Sequence, residues 1–259
     1  MMQTNFADLL QNAVREPGLM LNAYTAFHNY SIGNQLLALS QCHERGIIPG
    51  PIATFMGWKD KGRYVKKGSK AIQLCMPVTC KRKAESEEQE DATFTRFVFR
   101  PNWFVLEQTD GAELPPASLP AWDGTRAMAA LDITEEPFAL TDGNCQGYAK
   151  QRTIAVSPVA ELPHKTRFHE IAHVVLGHTA EGELNDDDRT PRSIREVEAE
   201  AVAMLCLEAL ELPGAAFCRG YIQHWNQTGE AIPERSAQKI LKAADQILRA
   251  GRPAEERVS

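Results

Sequence analysis

Apolar positions along the chain recur at two spacings, and each spacing predicts a different kind of element. Phe6, Leu9, Leu10 and Val14 recur at helical spacing, and they predict an amphipathic helix that Pro17-Gly18 ends. Further helical patterns cover residues 21–30, 34–42, 195–207 and 236–249. Both ends of the chain are therefore expected to be largely helical.

Strand patterns lie mainly in the middle of the chain. Residues 67–70 predict a turn, and alternating apolar positions after it predict one buried face of a strand. Those positions are Ile72, Leu74, Met76 and Val78. Strand patterns follow over 94–100 and 103–106, while the acidic residues 85–91 predict a disordered hairpin tip. Residues 152–158 end at a proline and predict a short edge strand.

These elements predict an α+β fold in two domains. Residues 108–124 are polar and contain three prolines, so we expect a linker there. It would separate an α+β domain of residues 1–107 from a domain of residues 125–259, which is mainly helical with a small sheet. With 259 residues, 43% of them hydrophobic, the chain is long enough for two modest cores.

The composition excludes several kinds of protein. The sequence has no run of 18 apolar residues and no basic, then hydrophobic, signal at its N-terminus, so a soluble cytoplasmic protein without a membrane partner is expected. Its six cysteines include no Cys-x-x-Cys pair, which suits a reducing compartment and excludes a cysteine zinc site.

The distribution of charge is uneven. The whole chain has a net charge of -6, which argues against a general nucleic-acid binder, but residues 59–83 contain nine basic side chains and one acidic side chain. Aromatic residues lie among these cations, and this combination is typical of proteins that bind single-stranded DNA. Candidate DNA contacts in this region are Phe55, Trp58, Lys59, Arg63, Tyr64, Lys66, Lys67 and Lys70. A merely solvated basic surface is the alternative.

The segment His169-Glu170-x-x-His173 lies in an apolar helical run and has the form of a zinc-hydrolase active site. Helical spacing of four places both imidazoles on one face, where they can bind one metal ion. Glu170 is expected to be the catalytic base toward a water molecule. Zn²⁺ is the expected ion, with another divalent metal as the alternative, and surface histidines on an ordinary helix are the simpler interpretation.

A catalytic zinc ion needs a third protein ligand. His178 follows His173 by five residues, which does not fit the longer metzincin pattern, so we expect it to be a helix-end residue and not a ligand. Glu196 and Glu200 are four apart in the next helical run, which makes Glu196 the expected third ligand and Glu200 the acceptor for a ligand histidine N–H. Glu198 would point about 200° away from Glu196. Glu198 or Glu200 as the ligand, and a solvated acidic face, are the alternatives.

The two halves together resemble the ArdC antirestriction family of plasmid proteins. The resemblance depends on residues 30–37, 54–55 and 65–70 in the N-terminal half. In the C-terminal half it depends on the histidine motif, on Arg195-Glu196 with Glu200, and on residues 221–225. It implies an N-terminal single-stranded-DNA-binding domain joined to a C-terminal zincin-like metallopeptidase domain. Asn34, within the first matching block, becomes a further candidate DNA contact.

Two departures from the family pattern affect individual residues. The run from Glu196 to Glu200 is also similar to peptidases that cleave repressors, so the position of the third ligand is less defined than the two histidines. Gly57-Trp58 replaces residues that are usually polar in the family, so a stacking role for Trp58 is inferred from its residue type alone.

Three functional hypotheses follow. The first is a DNA-binding protein of plasmid or mobile-element type that binds single strands without sequence preference and, as the resemblance implies, protects incoming DNA from host restriction enzymes. The second is an active zinc metallopeptidase that cleaves a repressor or another DNA-associated protein. In the third, the zinc ion is purely structural and proteolysis is absent.

Overall fold

The computed structural model describes residues 5–82, 92–115, 118–140, 145–179, 191–227, 229 and 231–253. The hairpin tip expected at 85–91, like Lys83, lies outside these residues. The chain divides into two compact units, and the division falls after Leu36 and again before Ser118. We call the described residues before and after these two points the helical unit, and those between them the sheet unit.

The helical unit contains most of the helices. They are α1 (Phe6–Arg15), α2 (Leu19–Phe27), the start of α3 (Ile32–Arg45), α5 (Gly124–Ala130), α6 (Pro163–Val175), α7 (Arg192–Ala209), α8 (Ala215–Asn226) and α9 (Glu234–Ala250). The sheet unit contains the rest of α3, the short helix α4 (Phe55–Asp60), and strands β1 (Ile52–Thr54), β2 (Arg63–Val65), β3 (Ile72–Arg82), β4 (Ala92–Val105) and β5 (Thr109–Gly111).

Helix α7 forms the centre of the helical unit. Every residue from Val197 to Ala209 is buried, and α2, α6, α8 and α9 pack against it. A helix that is buried on all sides needs small and apolar residues around its whole circumference, and the alanines of this run meet that need. The carboxylates of Glu198, Glu200 and Glu208 are buried with them and therefore require partners.

The first helices belong to the helical unit and not to the sheet unit. Arg219 on α8 donates to the carbonyl oxygens of Ala13 and Val14 at the end of α1, and each of these hydrogen bonds is 2.6 Å long. The same guanidinium pairs with Glu208 at 2.8 Å. Glu208 also accepts the backbone N–H of Gly18. This buried ion pair satisfies backbone groups near the end of α1. The described residues up to Leu36 therefore lie in the helical unit, whereas the sequence predicted a first domain that runs from residue 1 to residue 107.

A three-stranded antiparallel sheet, in the order β1-β4-β3, dominates the sheet unit. β4 continues through Pro101, where two separate strands were expected, because the register shifts by one residue between Ile72 and Gln73 of β3. Such a bulge accommodates a proline in a central strand. β5 pairs with β2, so Thr109–Gly111 of the expected linker are part of the fold.

A second small sheet completes the helical unit. It consists of β6 (Thr134–Glu135), β7 (Gly147–Lys150) and β8 (Thr153–Val156), in the order β6-β8-β7. The expectation that residues 152–158 form an edge strand was wrong, because β8 pairs on both sides, while β7 is an edge. No helix in the described part of the chain is long and apolar enough to cross a membrane.

Candidate metal centre

Helix α6 presents the two motif histidines on one face. Proline at its first position suits the start of a helix, where the missing N–H has no intrahelical partner. Buried Phe168, Ile171 and Ala172 hold α6 in the core and leave the two imidazoles partly accessible. Nε2 of His169 lies 3.1 Å from Nε2 of His173, so both lone pairs can point at one ion.

Helix α7 brings Glu196 to the same point. Its Oε2 lies 3.5 Å from Nε2 of His169 and 3.6 Å from Nε2 of His173. In a tetrahedral zinc site, bonds of 2.0–2.1 Å place neighbouring ligand atoms about 3.3 Å apart. His169, His173 and Glu196 are the one group of this kind among the described residues, and their donor atoms fit a divalent ion.

The pKa values of His169 and Glu196 are shifted in opposite directions by their mutual contact. Burial lowers the pKa of His169, but hydrogen bonds to Glu196 and Glu200 outweigh burial and raise this pKa to about 9. Hydrogen bonds from His169 and His173 hold the pKa of Glu196 far below its ordinary value. The cluster therefore attracts a cation, and a proton on Nε2 of His169 competes with a metal ion for that nitrogen.

Glu200 lies next to Nδ1 of His169. Its Oε1 is 3.3 Å from Nδ1 of His169 and 2.6 Å from Nζ of Lys165. Although burial raises the pKa of this carboxyl group, its partners lower it to about 2. An ionised Glu200 can hold the Nδ1–H of His169 and so present Nε2 to the ion.

His173 is supported by two residues whose role sequence reasoning missed. Nδ1 of His178 lies 3.0 Å from Nδ1 of His173, and Nε2 of His178 lies 2.9 Å from Oε2 of Glu198. The side chains of His178 and Glu198 are 8% and 1% exposed. Glu198 does point away from Glu196, but toward the end of α6, where it meets His178.

The end of α6 explains how His178 reaches His173. Gly177 has φ +78°, its N–H donates to the carbonyl of Val174, and the N–H of His178 donates to the carbonyl of His173. This is the Schellman arrangement, which needs a left-handed residue after the helix and therefore favours glycine. A glycine and a histidine directly after the motif helix are the sequence signal that could have identified this contact.

Glu170 lies on the same helix but is more deeply buried. It is 7% exposed, and burial raises its pKa. Gly147 on β7 packs against it so closely that an added Cβ would lie 3.1 Å from Oε1 of Glu170 and 2.5 Å from Cγ2 of Thr166. Gly147 to Ala149 line a cavity of about 540 Å³ together with the three-residue cluster, Glu170 and the start of α7. A raised pKa suits a residue that accepts and returns a proton.

The candidate DNA contacts divide into accessible and inaccessible side chains. Phe55 and Tyr64 are 53% and 62% exposed, and Lys59, Lys67 and Lys70 are exposed as well. Lys66 is exposed, but its Nζ donates to the carbonyl of Glu107 at 2.9 Å and lies 3.5 Å from Asp110. Met56, 56% exposed beside Phe55, was not among the candidates.

Three candidates do not have the accessibility that was expected. Trp58 is 1% exposed and its Nε1–H donates to the carbonyl of Phe104 at 2.8 Å, so it fills the core of the sheet unit instead of offering a stacking face. The guanidinium of Arg63 donates to Thr109 and to the carbonyls of Gly111 and Ala112 and thus joins β2 to β5. Asn34 is 7% exposed and lies in the helical unit.

The turn that carries Lys67 is fixed by Gln108. The N–H of Lys66 donates to the carbonyl of Gln108, and the side-chain amide of Gln108 donates to the carbonyl of Lys70. Each of these hydrogen bonds is 2.9 Å long. Gly68 between them has φ +86°, which glycine adopts without strain. The lysines are therefore held on a defined turn.

Comparisons with known proteins match two family models to successive parts of the chain. A family model described as the N-terminal domain of anti-restriction factor ArdC matches residues 10–101, and one described as an IrrE N-terminal-like domain, of the M78 peptidase type, matches residues 128–229. No curated protein matches the chain.

Two solved structures are similar to the chain over most of its length. The metal-free crystal structure of antirestriction ArdC protein from R388 plasmid is 20% identical, with a TM-score of 0.54, over 95% of this chain and 97% of that one. The Mn(II)-bound structure of the same protein is 19% identical, with a TM-score of 0.48, over 96% and 98%. The first match shows a shared fold.

Proposed function

Since this chain is an ArdC-type antirestriction protein with both matched domains, we propose that it binds single-stranded DNA through the sheet unit and a divalent metal ion through the helical unit. The metal ligands would be His169, His173 and Glu196. The observation that carries the metal site is the convergence of two imidazole nitrogens and one carboxylate oxygen within 4.8 Å.

The DNA-binding part of the proposal is supported by what the sheet unit exposes. Lys59, Lys67 and Lys70 supply charges for phosphates, and Phe55 and Tyr64 supply faces on which bases can stack. Backbone contacts and stacking carry little sequence information, so binding without sequence preference is expected. Protection would follow if the bound strand is inaccessible to restriction enzymes.

The metal-binding part defines a role for each side chain. A bound divalent ion would polarise a carbonyl group and favour ionisation of a water molecule. Glu170, buried next to the cluster, would take the proton from that water and later return it. Glu200 orients His169, and His178 orients His173, so both Nε2 atoms are presented to the ion.

A second function, cleavage of a protein partner, is favoured by Glu170 itself. A metal with a purely structural role needs no general base, whereas Glu170 is buried beside the ligands with a raised pKa. A Glu170→Gln variant should then bind the metal ion and lose all cleavage. If the metal is only structural, Glu170→Gln changes nothing measurable, while His169→Ala or His173→Ala loosens the helical unit.

The test of DNA binding is a fluorescence-anisotropy titration of labelled single-stranded and duplex DNA at several salt concentrations. Wild type and Glu170→Gln should bind single strands equally well. Lys67→Ala with Lys70→Ala should weaken binding and lower the slope of log affinity against log salt by roughly 0.7 for each lost phosphate contact. The matched control is Lys242→Ala, on α9 of the helical unit. An unchanged slope of log affinity against log salt in the double variant would show that Lys67 and Lys70 do not contact phosphates.

A further inference from the structure

The cavity beside the three-residue cluster has two chemically different walls. One is the edge strand β7, at Gly147 to Ala149, and the other is the first turn of α7, with Arg192 and Arg195. Both arginines line the cavity together with the proposed metal ligands. Neither matched family description assigns a role to this pair.

The guanidinium of Arg195 is poorly satisfied. One of its terminal nitrogens lies 3.5 Å from the carbonyl of His178, at the outer limit of a hydrogen bond, and its buried Nε has no hydrogen-bond partner among the described residues. Arg192 is exposed, and the described part of the chain offers neither arginine a carboxylate within ion-pair distance. An acceptor that enters the cavity would satisfy these donors.

The charges around the cavity favour an anion. Its described acidic lining residues are Glu170 and Glu196. A divalent ion at the cluster would offset these two carboxylates, which leaves no further acidic residue among the described lining residues to balance the two guanidinium charges. Because the cavity walls exclude part of the solvent, these charges act on a bound ligand more strongly than they would in bulk water.

We propose that Arg192 and Arg195 form a subsite for a carboxylate side chain of a peptide that lies along β7. This inference rests on the proposed metal centre. A peptide is the occupant that fits, because an edge strand can pair with an extended backbone and because a cavity of about 540 Å³ holds a few residues. Guanidinium groups bind carboxylates through paired, charge-assisted hydrogen bonds. The substrate class is therefore an acidic peptide.

The test uses acetylated tripeptide hydroxamates that carry Glu or Gln at one of the three positions and alanine at the others. The hydroxamate group chelates the zinc ion, so every probe is anchored at the same point whether or not the protein cleaves peptides. Titration calorimetry on zinc-loaded wild type should show that, at one position, the Glu probe binds about tenfold more tightly than its Gln counterpart.

Variants assign this preference to the arginines. Arg192→Gln with Arg195→Gln should abolish the preference and retain one zinc ion per chain, while Arg195→Lys alone should keep part of the preference because the charge remains. Lys150→Gln is the matched control, since this exposed cation ends β7 but does not line the cavity, and it should bind like wild type.

Each other outcome overturns the proposal for a different reason. Equal binding of Glu and Gln probes at all three positions, or a preference that survives in the double variant, removes the subsite and leaves the metal centre intact. If no hydroxamate binds, the metal centre fails, and the subsite fails with it. If the double variant instead loses affinity for single-stranded DNA and wild type shows no Glu preference, the arginines bind nucleic acid.

Discussion

Replacing Glu198 by glutamine should weaken metal binding although Glu198 is not a ligand. With a metal ion on Nε2, His173 must have its proton on Nδ1, and among the described residues the acceptor for that proton is Nδ1 of His178. His178 then has its proton on Nε2 and donates it to Glu198. One set of tautomers therefore satisfies the metal ion and both hydrogen bonds, and the negative charge of Glu198 stabilises this set.

The size of the effect follows from the loss of that charge. Glutamine keeps the shape of glutamate and an acceptor oxygen, so the Glu198→Gln variant loses the charge assistance of a bond that is almost fully buried. Replacing residues that orient metal ligands typically lowers metal affinity 10- to 100-fold. We expect the lower end, about tenfold, which is about 1.4 kcal/mol.

The assay is titration calorimetry of Zn²⁺ into apoprotein with a competing chelator, at one pH and in one buffer. Glu208→Gln is the matched control, because Glu208 is a buried glutamate of the same helix that pairs with Arg219 and does not contact the cluster. Wild-type affinity in folded Glu198→Gln, or an equal loss in Glu208→Gln, would refute the reasoning about His178.

Three further predictions concern pH, backbone strain and the DNA surface. Because the pKa of His169 is raised to about 9 in the metal-free cluster, its proton must leave before the ion binds. The apparent metal affinity should therefore rise about tenfold per pH unit up to about pH 9 and then level off. Calorimetric affinities that stay constant between about pH 7 and 8.5 would contradict this. Gly177→Ala should lower the free energy of unfolding by about 1 kcal/mol in denaturant titrations and also weaken zinc binding, whereas Gly220→Ala, in open space on α8, should be neutral or stabilising. Tyr64→Ala should cost about 1–3 kcal/mol of single-strand affinity in anisotropy titrations, while Trp58→Phe should lower stability and leave affinity unchanged. A loss of affinity in Trp58→Phe and not in Tyr64→Ala would contradict the assignment of Trp58 to the core.

The two helix faces that carry the proposed metal ligands were predictable from sequence, because each face depends on local geometry. Two histidines four residues apart on a helix must share a face, and the same holds for Glu196 and Glu200, whatever packs around them. The structure also brings the two faces together, through a contact between α6 and α7 that the spacing alone does not give. Helices α1, α2, α3, α6, α7 and α9 and strands β3, β4 and β8 were predicted for the same reason, since their periodicity belongs to a single segment, whereas the short strands β1, β2, β5, β6 and β7 were not predicted.

What could not be predicted depends on contacts between distant segments. An aromatic residue among lysines can be a surface residue or a core residue, and the packing of α4 on the strands shows that Trp58 is buried. The contact of His178 with Glu198 joins residues 20 positions apart, across α6 and α7. Likewise, the ion pair of Arg219 and Glu208, not any local signal, fixes the N-terminal helices in the helical unit.

The central claim is that one divalent ion is bound by His169, His173 and Glu196. Equilibrium dialysis against Zn²⁺ and Mn²⁺, followed by elemental analysis by mass spectrometry, tests it on wild type and on the Glu196→Ala, Glu198→Ala and Glu200→Ala variants. We expect one ion per chain in wild type, its loss in Glu196→Ala, and weakened but measurable binding in the other two. A wild-type protein without metal, or a Glu196→Ala variant that keeps a full ion while Glu200→Ala loses it, would contradict the assignment.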